Sequence, residues 1–393
     1  MKKILCVIAL LLVCVCIFTA CKNNEGNNPQ ETSTTIDSTT PDTSVNQENY
    51  VPTEGIIYEV AEDGTYAVVV GYEGTATEVK IAKTYNELPV TIIDSEAFYS
   101  CTSLTSVTIP DSVTTIGVGA FCECTSLTSI AIPDSVATIG MAAFGRCSSL
   151  MSVTIGEAVT SFGDGVFAGC SSLLNIVVDN DNTAYQSIDG NLYSKDGKTL
   201  ITYAIGKSDT SFTIPDSVTS IGMGAFLDST LLTSVTIGDG VESIGDSAFD
   251  RCSSLTSVVI PDSVTSIGDS AFQSCASLTS VTIGDGVTSI GSQAFFDCDA
   301  LTSVTIGDSV TSIGSHAFRE CASLTSVAIG DSVTIIDHSA FDSCLALTSV
   351  TFNGTVEQWD AIEKEFTWNS ATGTYIIYCT DGEITKDGRV TYY

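Results

Sequence analysis

Residues 97–117 read AFYSCTSLTSVTIPDSVTTIG, and the chain repeats this stretch with small changes every 23 residues. A phenylalanine marks each copy, and the spacing is interrupted once, by a step of 59 residues between Phe167 and Phe226. The marker phenylalanines are Phe98, Phe121, Phe144, Phe167, Phe226, Phe249, Phe272, Phe295, Phe318 and Phe341. Internal repeats of about 20–29 residues built on L-x-x-L-x-L are typical of solenoids rather than of globular domains.

Within each copy, the segment Leu-Thr-Ser-Val-Thr-Ile has the β-branched, alternating pattern of a half-buried strand. One copy is too short to bury its own apolar positions, whereas stacked copies turn each position into a continuous column. A second apolar pair, Val113 and Ile116 in the first copy, follows a Pro-Asp or Gly-Asp turn and is predicted to form the opposite wall. The sequence therefore predicts a mainly β repeat solenoid with a parallel sheet on one face.

The pattern C-x-S-L-T-S-V-T-I-x-D-S-V-T-S-I-G-x-x-A-F closely resembles the 23-residue leucine-rich repeat of bacterial BspA-like surface proteins, over about residues 55–378. Cysteine stands where other leucine-rich repeats carry asparagine. The resemblance implies a secreted or cell-surface solenoid, and for some members adhesion to host matrix proteins or to other bacteria. Function varies within the family, so the resemblance indicates a binding surface and names no ligand.

Residues 1–20 have the layout of a secretory signal peptide, because two lysines precede an apolar run that is short for a membrane span. Residues 18–21, FTAC, resemble a bacterial lipobox, although phenylalanine is an unusual first residue. The resemblance implies cleavage before Cys21 and lipid attachment to its thiol; an ordinary signal peptide with a chance cysteine is the alternative. Residues 21–54 are rich in Asn, Thr, Ser, Asp and Pro, which predicts a lipid-anchored disordered tether.

The rest of the chain reads as a capped solenoid with one insertion. Strand-like runs before the first repeat predict an N-terminal β cap, since the end of a solenoid needs a different outer face. After the last repeat, Val356, Trp359 and Ile362 have helical spacing and predict a short sealing helix, followed by closing strands. The predicted segments are the N-terminal β cap (55–96), the first repeat block (97–178), an inserted β-hairpin (179–211), the second repeat block (212–354) and a C-terminal cap (355–393).

The insertion carries a strong hairpin signal, because two apolar runs flank the turn Lys195-Asp196-Gly197. We expect the hairpin to project from the solenoid. The run Asp179-Asn180-Asp181-Asn182 lacks the glycine and glutamate that an EF-hand calcium loop needs at its sixth and twelfth positions, so turn chemistry is the better interpretation. The aromatic residues of the insertion are candidate ligand contacts: Tyr185, Tyr193 and Tyr203.

The outward strand positions are mostly threonine and serine, which predicts a flat, hydroxyl-rich face. One interpretation is β-propensity combined with solubility. The functional interpretation is that the face docks an extended protein segment or a glycan through many weak hydrogen bonds; an ice-binding array is disfavoured, since Ser, Ala and Asn interrupt the threonines. The candidate binding face comprises Thr105, Thr108, Thr128, Thr233, Thr236, Thr256, Thr279, Thr282, Thr302, Thr305 and Thr325.

Nine cysteines recur three residues after the marker phenylalanines, with Ser229 as the one exception. Exported proteins usually form disulfides, but equivalent positions in adjacent coils have parallel Cβ vectors, which disfavours pairing. Equal spacing along a line also does not assemble a tetrahedral metal site. We expect buried free thiols that pack as small hydrophobes and donate weakly to the turn backbone. The ladder comprises Cys101, Cys124, Cys147, Cys170, Cys252, Cys275, Cys298, Cys321 and Cys344.

An acidic residue recurs after each main strand, at the turn. Two interpretations remain open: the carboxylates cap backbone N–H groups of the turns, or they collect cations along a ridge. The two roles are compatible. The column comprises Asp111, Asp134, Glu157, Asp216, Asp239, Asp262, Asp285, Asp308 and Asp331.

Charge and motifs oppose nucleic-acid binding and catalysis. The chain has 47 acidic and 14 basic residues, for a net charge of −33, whereas phosphate binding requires clustered Lys and Arg. His316 and His338 are in different columns without a matching nucleophile, and no P-loop, G-x-G-x-x-G or H-E-x-x-H is present. We predict a non-enzymatic, cofactor-free protein that is exported, lipid-anchored at the bacterial envelope and surface-exposed. Its predicted partners are proteins or cell-surface polymers, host extracellular matrix among them; a structural envelope spacer and a glycan-binding surface protein are the alternatives.

Overall fold

Each 23-residue repeat forms one coil with three sides in the computed structural model, which describes residues 51–393. Ser-Val-Thr-Ile forms a strand of the long-strand wall, Ser-Ile forms a strand of the short-strand wall, and the phenylalanine turn closes the coil. Val281 and Ile283 of one long strand are buried, whereas Ser280 and Thr282 are exposed. The mainly β solenoid predicted from the sequence is confirmed. The predicted signal peptide, the lipid-anchor site at Cys21 and nearly all of the predicted tether lie outside the described residues.

Five strands build the N-terminal end. They are β1 (Ile56–Val60), β2 (Ala67–Tyr72), β3 (Glu78–Lys80), β4 (Thr84–Tyr85) and β5 (Leu88–Ile93). β1 and β2 are antiparallel, and β5 continues from β2 in parallel to start the short-strand wall. This end therefore adds two antiparallel pairs, β1 with β2 and β4 with β5, to the parallel pairing of the repeats.

The first block alternates long and short strands. They are β6 (Ser106–Thr108), β7 (Thr115–Ile116), β8 (Ser129–Ile132), β9 (Thr138–Ile139), β10 (Ser152–Ile155), β11 (Ser161–Phe162) and β12 (Asn175–Val178). Neighbouring coils pair in parallel without a register shift, so Ser152 lies beside Ser129 and Asn175.

The insertion adds β13 (Tyr185–Ile188), β14 (Asn191–Ser194) and β15 (Thr199–Thr202), which pair antiparallel in that order. The expectation that this hairpin projects from the solenoid is wrong. β15 pairs in parallel with the next short strand, Ser220–Ile221, and thus continues the short-strand wall. The hairpin lies within the stack because its apolar side chains, Leu192 and Leu200, are buried in the core.

The second block continues the alternation. Its strands are β16 (Ser211–Thr213), β17 (Ser220–Ile221), β18 (Ser234–Thr236), β19 (Ser243–Ile244), β20 (Ser257–Ile260), β21 (Ser266–Ile267), β22 (Ser280–Ile283), β23 (Ser289–Ile290), β24 (Ser303–Ile306), β25 (Ser312–Ile313), β26 (Ser326–Ile329), β27 (Ile335–Ile336) and β28 (Ser349–Phe352). Long and short strands form two separate ten-stranded sheets, which are completed by the insertion and the C-terminal end.

The C-terminal end contains the only α-helix among the described residues, α1 (Val356–Ala361), followed by β29 (Glu363–Lys364), β30 (Ile376–Cys379), β31 (Gly382–Thr385) and β32 (Val390–Tyr392). Thr355 caps α1 in a capping box with Gln358. Trp359 is buried and contacts Phe352 and Trp368 edge to face. The helix therefore covers the last coil with aromatic side chains.

Aromatic stacking and close backbone approach hold the coils together. Within each block the marker phenylalanines stack with ring centroids 4.7–5.8 Å apart. Such pairs add roughly 0.5–1.5 kcal/mol each beyond the area that they bury. A glycine follows most of the short strands, and it has a steric reason: a Cβ on Gly268 would lie 2.6 Å from the backbone nitrogen of Asp246 in the preceding coil. The core forms two clusters, which meet at the insertion.

Candidate binding face

The threonine face is the outer surface of the long-strand wall. In the second block its first threonine column precedes each strand and its second column lies within the strand, and the predicted members of both columns are exposed there. In the first block, Thr105 and Thr108 are half-buried and Thr128 is exposed. The sequence pattern thus places all of the predicted threonines on one face, with the greatest exposure in the second block.

The first threonine column is bonded along the solenoid axis. Each hydroxyl donates to the backbone carbonyl of the equivalent threonine one coil earlier, as Thr279 does to Thr256 at 3.0 Å and Thr302 does to Thr279 at 3.2 Å. The same bond recurs at Thr233, Thr256, Thr325 and Thr348. Because these hydroxyl protons are used internally, the column offers solvent methyl groups and oxygen lone pairs.

The second threonine column differs. The hydroxyl groups of Thr236, Thr282 and Thr305 make no hydrogen bond to any residue in 51–393 and are exposed. They remain available to donate to an incoming group. The face therefore alternates acceptor-only and donor-capable rows, a distinction that residue type alone does not reveal.

The acidic column borders this face and caps backbone. The carboxylate of Asp262 accepts from the backbone N–H of Asp285 in the next coil at 2.9 Å, and Asp134 accepts from Glu157 at 3.3 Å. Lys83 pairs with Asp111 at 2.8 Å. Within residues 51–393 no group of three or more His, Cys, Asp or Glu is placed to hold a metal ion. Capping is therefore observed at some of these positions, and most of the carboxylates stay exposed.

The cysteine ladder lies inside. All of its members are free thiols, buried except for half-buried Cys101. Eight of them donate to the carbonyl of the marker phenylalanine 26 residues earlier, at 3.1–3.2 Å, as Cys298 does to Phe272. Burial raises the pKa of Cys101 to about 11 and that of Cys344 to about 12. The eight thiols therefore donate hydrogen bonds that link successive coils.

Two of the three candidate contacts in the insertion are wrong. Tyr193 is 1% exposed and Tyr203 is 2% exposed, so neither can touch a ligand at the surface. Tyr203 stacks on Phe226 at 5.2 Å and extends the phenylalanine ladder. The signal was present in the sequence, because Tyr203 lies 23 residues before Phe226. Tyr185 is half-buried against Phe162, and its hydroxyl donates to the carbonyl of Thr160.

Two features escaped the sequence reasoning. His316 and His338 are in different columns of neighbouring repeats, yet their imidazoles lie edge to face with centroids 5.1 Å apart, and Ser315 Oγ lies 2.8 Å from His316 Nδ1. Asp250 is fully buried beside Arg251, whose Nε lies 3.9 Å from its carboxylate. Burial raises the pKa of Asp250 to about 7, although Arg251 opposes the rise.

No helix among the described residues is long and apolar enough to span a membrane. A family model described as the BspA type leucine-rich repeat region, in 6 copies, matches residues 91–208, 202–311 and 242–370. No curated protein matches the sequence.

Two solved structures show the same fold. A leucine-rich repeat protein from Eubacterium ventriosum is 24% identical, with 82% of this chain and 94% of that chain covered and a TM-score of 0.63. The pneumococcal vaccine antigen PcpA is 20% identical, with 84% and 98% covered and a TM-score of 0.60. At these identities the likeness supports the fold alone.

Proposed function

Because the chain belongs to the family of BspA-type leucine-rich repeat proteins, a bacterial surface-type family, we propose that it binds another protein or a cell-surface polymer through the threonine face. Host extracellular matrix and neighbouring cells are the partners that we would test first. The chain acts by binding, without catalysis. Lipid attachment at Cys21 anchors it to the envelope with the solenoid outside.

One observation carries this proposal: the exposed face repeats the same chemistry coil after coil. Rows of acceptor-only and donor-capable threonines run in parallel over the second block, bordered by exposed carboxylates. A regular array suits a repetitive or extended ligand, since each coil adds a weak contact and the sum becomes selective. The carboxylates favour a basic partner.

The test uses residues 55–393 as a purified protein and as a surface-displayed protein. Immobilised matrix proteins, mucin and whole bacteria are titrated with the wild type and with two variants of the same coil. Thr282→Arg places a long cation in the middle of the face, whereas Gln293→Arg adds the same charge on the exposed phenylalanine turn. We expect saturable binding that Thr282→Arg weakens at least tenfold and that Gln293→Arg leaves unchanged.

Two outcomes would contradict the proposal. Absence of any partner at micromolar concentration would favour a structural spacer. Equal loss in both variants would place the contact elsewhere. The anchor is tested separately, by labelling cells with a fatty-acid probe: the label should reach the wild-type protein and be absent from Cys21→Ser.

A further inference from the structure

A pocket of about 200 Å³ lies where the insertion joins the second block. One side is the phenylalanine turn of residues 163–168, and the opposite side is the phenylalanine turn of residues 222–227. Thr202, Tyr203 and Ile205 of the intervening coil also line it. The pocket therefore lies between two phenylalanine turns. In a regular part of the solenoid a third turn would lie between them and bond to both.

The pocket arises because the intervening turn is short. Leu200 pairs with Ile221 in the short-strand wall, and Tyr203 N–H donates to the carbonyl of Ala225. Two residues thus lie between Leu200 and Tyr203, whereas four lie between Ile221 and Phe226. The intervening chain takes a shorter path from the short strand to Tyr203. The backbone that bridges adjacent turns elsewhere in the solenoid therefore does not fill the pocket.

Regular turns show what that backbone does. Ser247 N–H donates to the carbonyl of Asp269 at 2.8 Å, and Phe249 N–H donates to the carbonyl of Ala271 at 2.7 Å. The equivalent bonds recur throughout the second block, so each turn donates along the axis and accepts from the turn before it. A turn without a neighbour keeps unused donors on one side or unused acceptors on the other.

Both kinds of unused group face this pocket. The backbone N–H groups of Gly165 and Phe167 find no acceptor among residues 51–393, and the carbonyl of Met223 finds no donor there. In regular coils the equivalent groups are bonded to the neighbouring turn, so each of these three groups is a position where a ligand can gain a hydrogen bond. Val166 and Leu192 add apolar lining beside them.

We propose that this pocket binds a short peptide segment of a partner protein, whose backbone completes the interrupted turn. Two carbonyls, two residues apart, accept from Gly165 and Phe167, and the N–H between them donates to the carbonyl of Met223. A polypeptide backbone presents acceptors and a donor in that alternation, at the spacing that the regular coils use. In a regular coil the segment Gly245–Ala248, with the sequence Gly-Asp-Ser-Ala, occupies this place and makes these bonds.

The pocket shares no residue with the threonine face, so the two proposals succeed or fail independently. The inference goes beyond surface binding through the long-strand wall, because it assigns a second site with its own ligand class. Small side chains suit it, since 200 Å³ accommodates little beyond the backbone of such a segment.

The probe is a fluorescein-labelled Gly-Asp-Ser-Ala amide, titrated against residues 55–393 and followed by anisotropy. Met223→Trp places a large side chain at the pocket, and Met141→Trp makes the same change in the same register of a regular coil, away from the pocket. We expect saturable binding that Met223→Trp weakens at least tenfold and Met141→Trp leaves unchanged. An ester analogue, in which oxygen replaces the serine N–H of the probe, should also bind about tenfold more weakly.

Hydrogen exchange supplies an independent readout. Without the probe, the amides of Gly165 and Phe167 should exchange faster than that of Phe144, which is bonded to the next coil; with the probe they should become protected. No saturable binding by the wild type, or equal weakening in both tryptophan variants, would overturn the proposal. Protection of residues 163–168 that rises with protein concentration in the absence of the probe would assign the pocket to a second copy of this chain and would overturn the partner assignment.

Discussion

Replacing Asp250 with asparagine is expected to remove a pH dependence from the stability of the solenoid. Asp250 is 0% exposed, and burial raises its pKa from 3.8 to about 7. Between pH 4 and 7 the unfolded chain therefore loses the Asp250 proton while the folded protein keeps it. Stability from this group is complete below pH 3.8 and is lost as the pH rises toward 7.

The magnitude follows from the two pKa values. A difference of about three pH units between folded and unfolded states corresponds to about 4 kcal/mol. The free energy of unfolding of the wild type, relative to Asp250→Asn, should fall by about this amount between pH 4 and 7 and then level off. Urea unfolding followed by circular dichroism at each pH measures the difference.

The matched control is Asp342→Asn, which removes a carboxylate from the same register four coils later. Asp342 lies beside Arg319, with 3.1 Å between Oδ2 and Nε, and its side chain is 15% exposed. If the two variants share one pH profile, the burial of Asp250 is not the cause. A flat difference between wild type and Asp250→Asn from pH 4 to 7 would refute the reasoning outright.

The other predictions concern single contacts in the stack. Ser229→Cys should raise the free energy of unfolding by about 1 kcal/mol, since the buried Ser229 hydroxyl lacks a partner among the described residues and a longer thiol would reach the Tyr203 carbonyl; a destabilised variant would contradict the ladder argument. Phe272→Ala should cost about 3–5 kcal/mol in thermal or urea unfolding, because its ring stacks on both neighbouring phenylalanines, and a cost below 1 kcal/mol would mean that the stack contributes little. Thr302→Val should cost about 1 kcal/mol through loss of its ladder hydrogen bond, whereas Thr305→Val should stay within about 0.5 kcal/mol; equal costs would show that the ladder bond does not matter. The buried ladder thiols should resist Ellman's reagent in the native protein and react after denaturation, because burial shields the sulfur atoms from the reagent.

The sequence was sufficient to predict the repeating part of the fold. A fixed period makes every coil see the same neighbours, so one copy of the pattern predicts the strands, the buried columns and the free thiols together. The insertion breaks that premise. Alternating apolar residues predicted its hairpin, but they do not state which coil the hairpin packs against. Only the register of Tyr203, in step with Phe226, indicated that the insertion lies within the stack.

The fine chemistry of the sites was less predictable. The position after the marker phenylalanine is aspartate at both 250 and 342. Only Asp250 is fully buried, because the residues around this position differ from coil to coil. The two threonine columns have one residue type and two hydrogen-bonding states. The pocket exists because the turn between Leu200 and Tyr203 is two residues shorter than a regular turn. This difference can be recognised only when the pairing of Leu200 with Ile221 is known.

Parallel pairing without register shifts also affects how the number of repeats in such a chain can change during evolution. Because the coils of the second block present matching edges above and below, a repeat gained or lost by recombination between neighbouring copies lengthens or shortens the solenoid by one rung and leaves both ends intact. The length of this protein can thus change by whole repeats, and each added repeat can take up the fold of its neighbours.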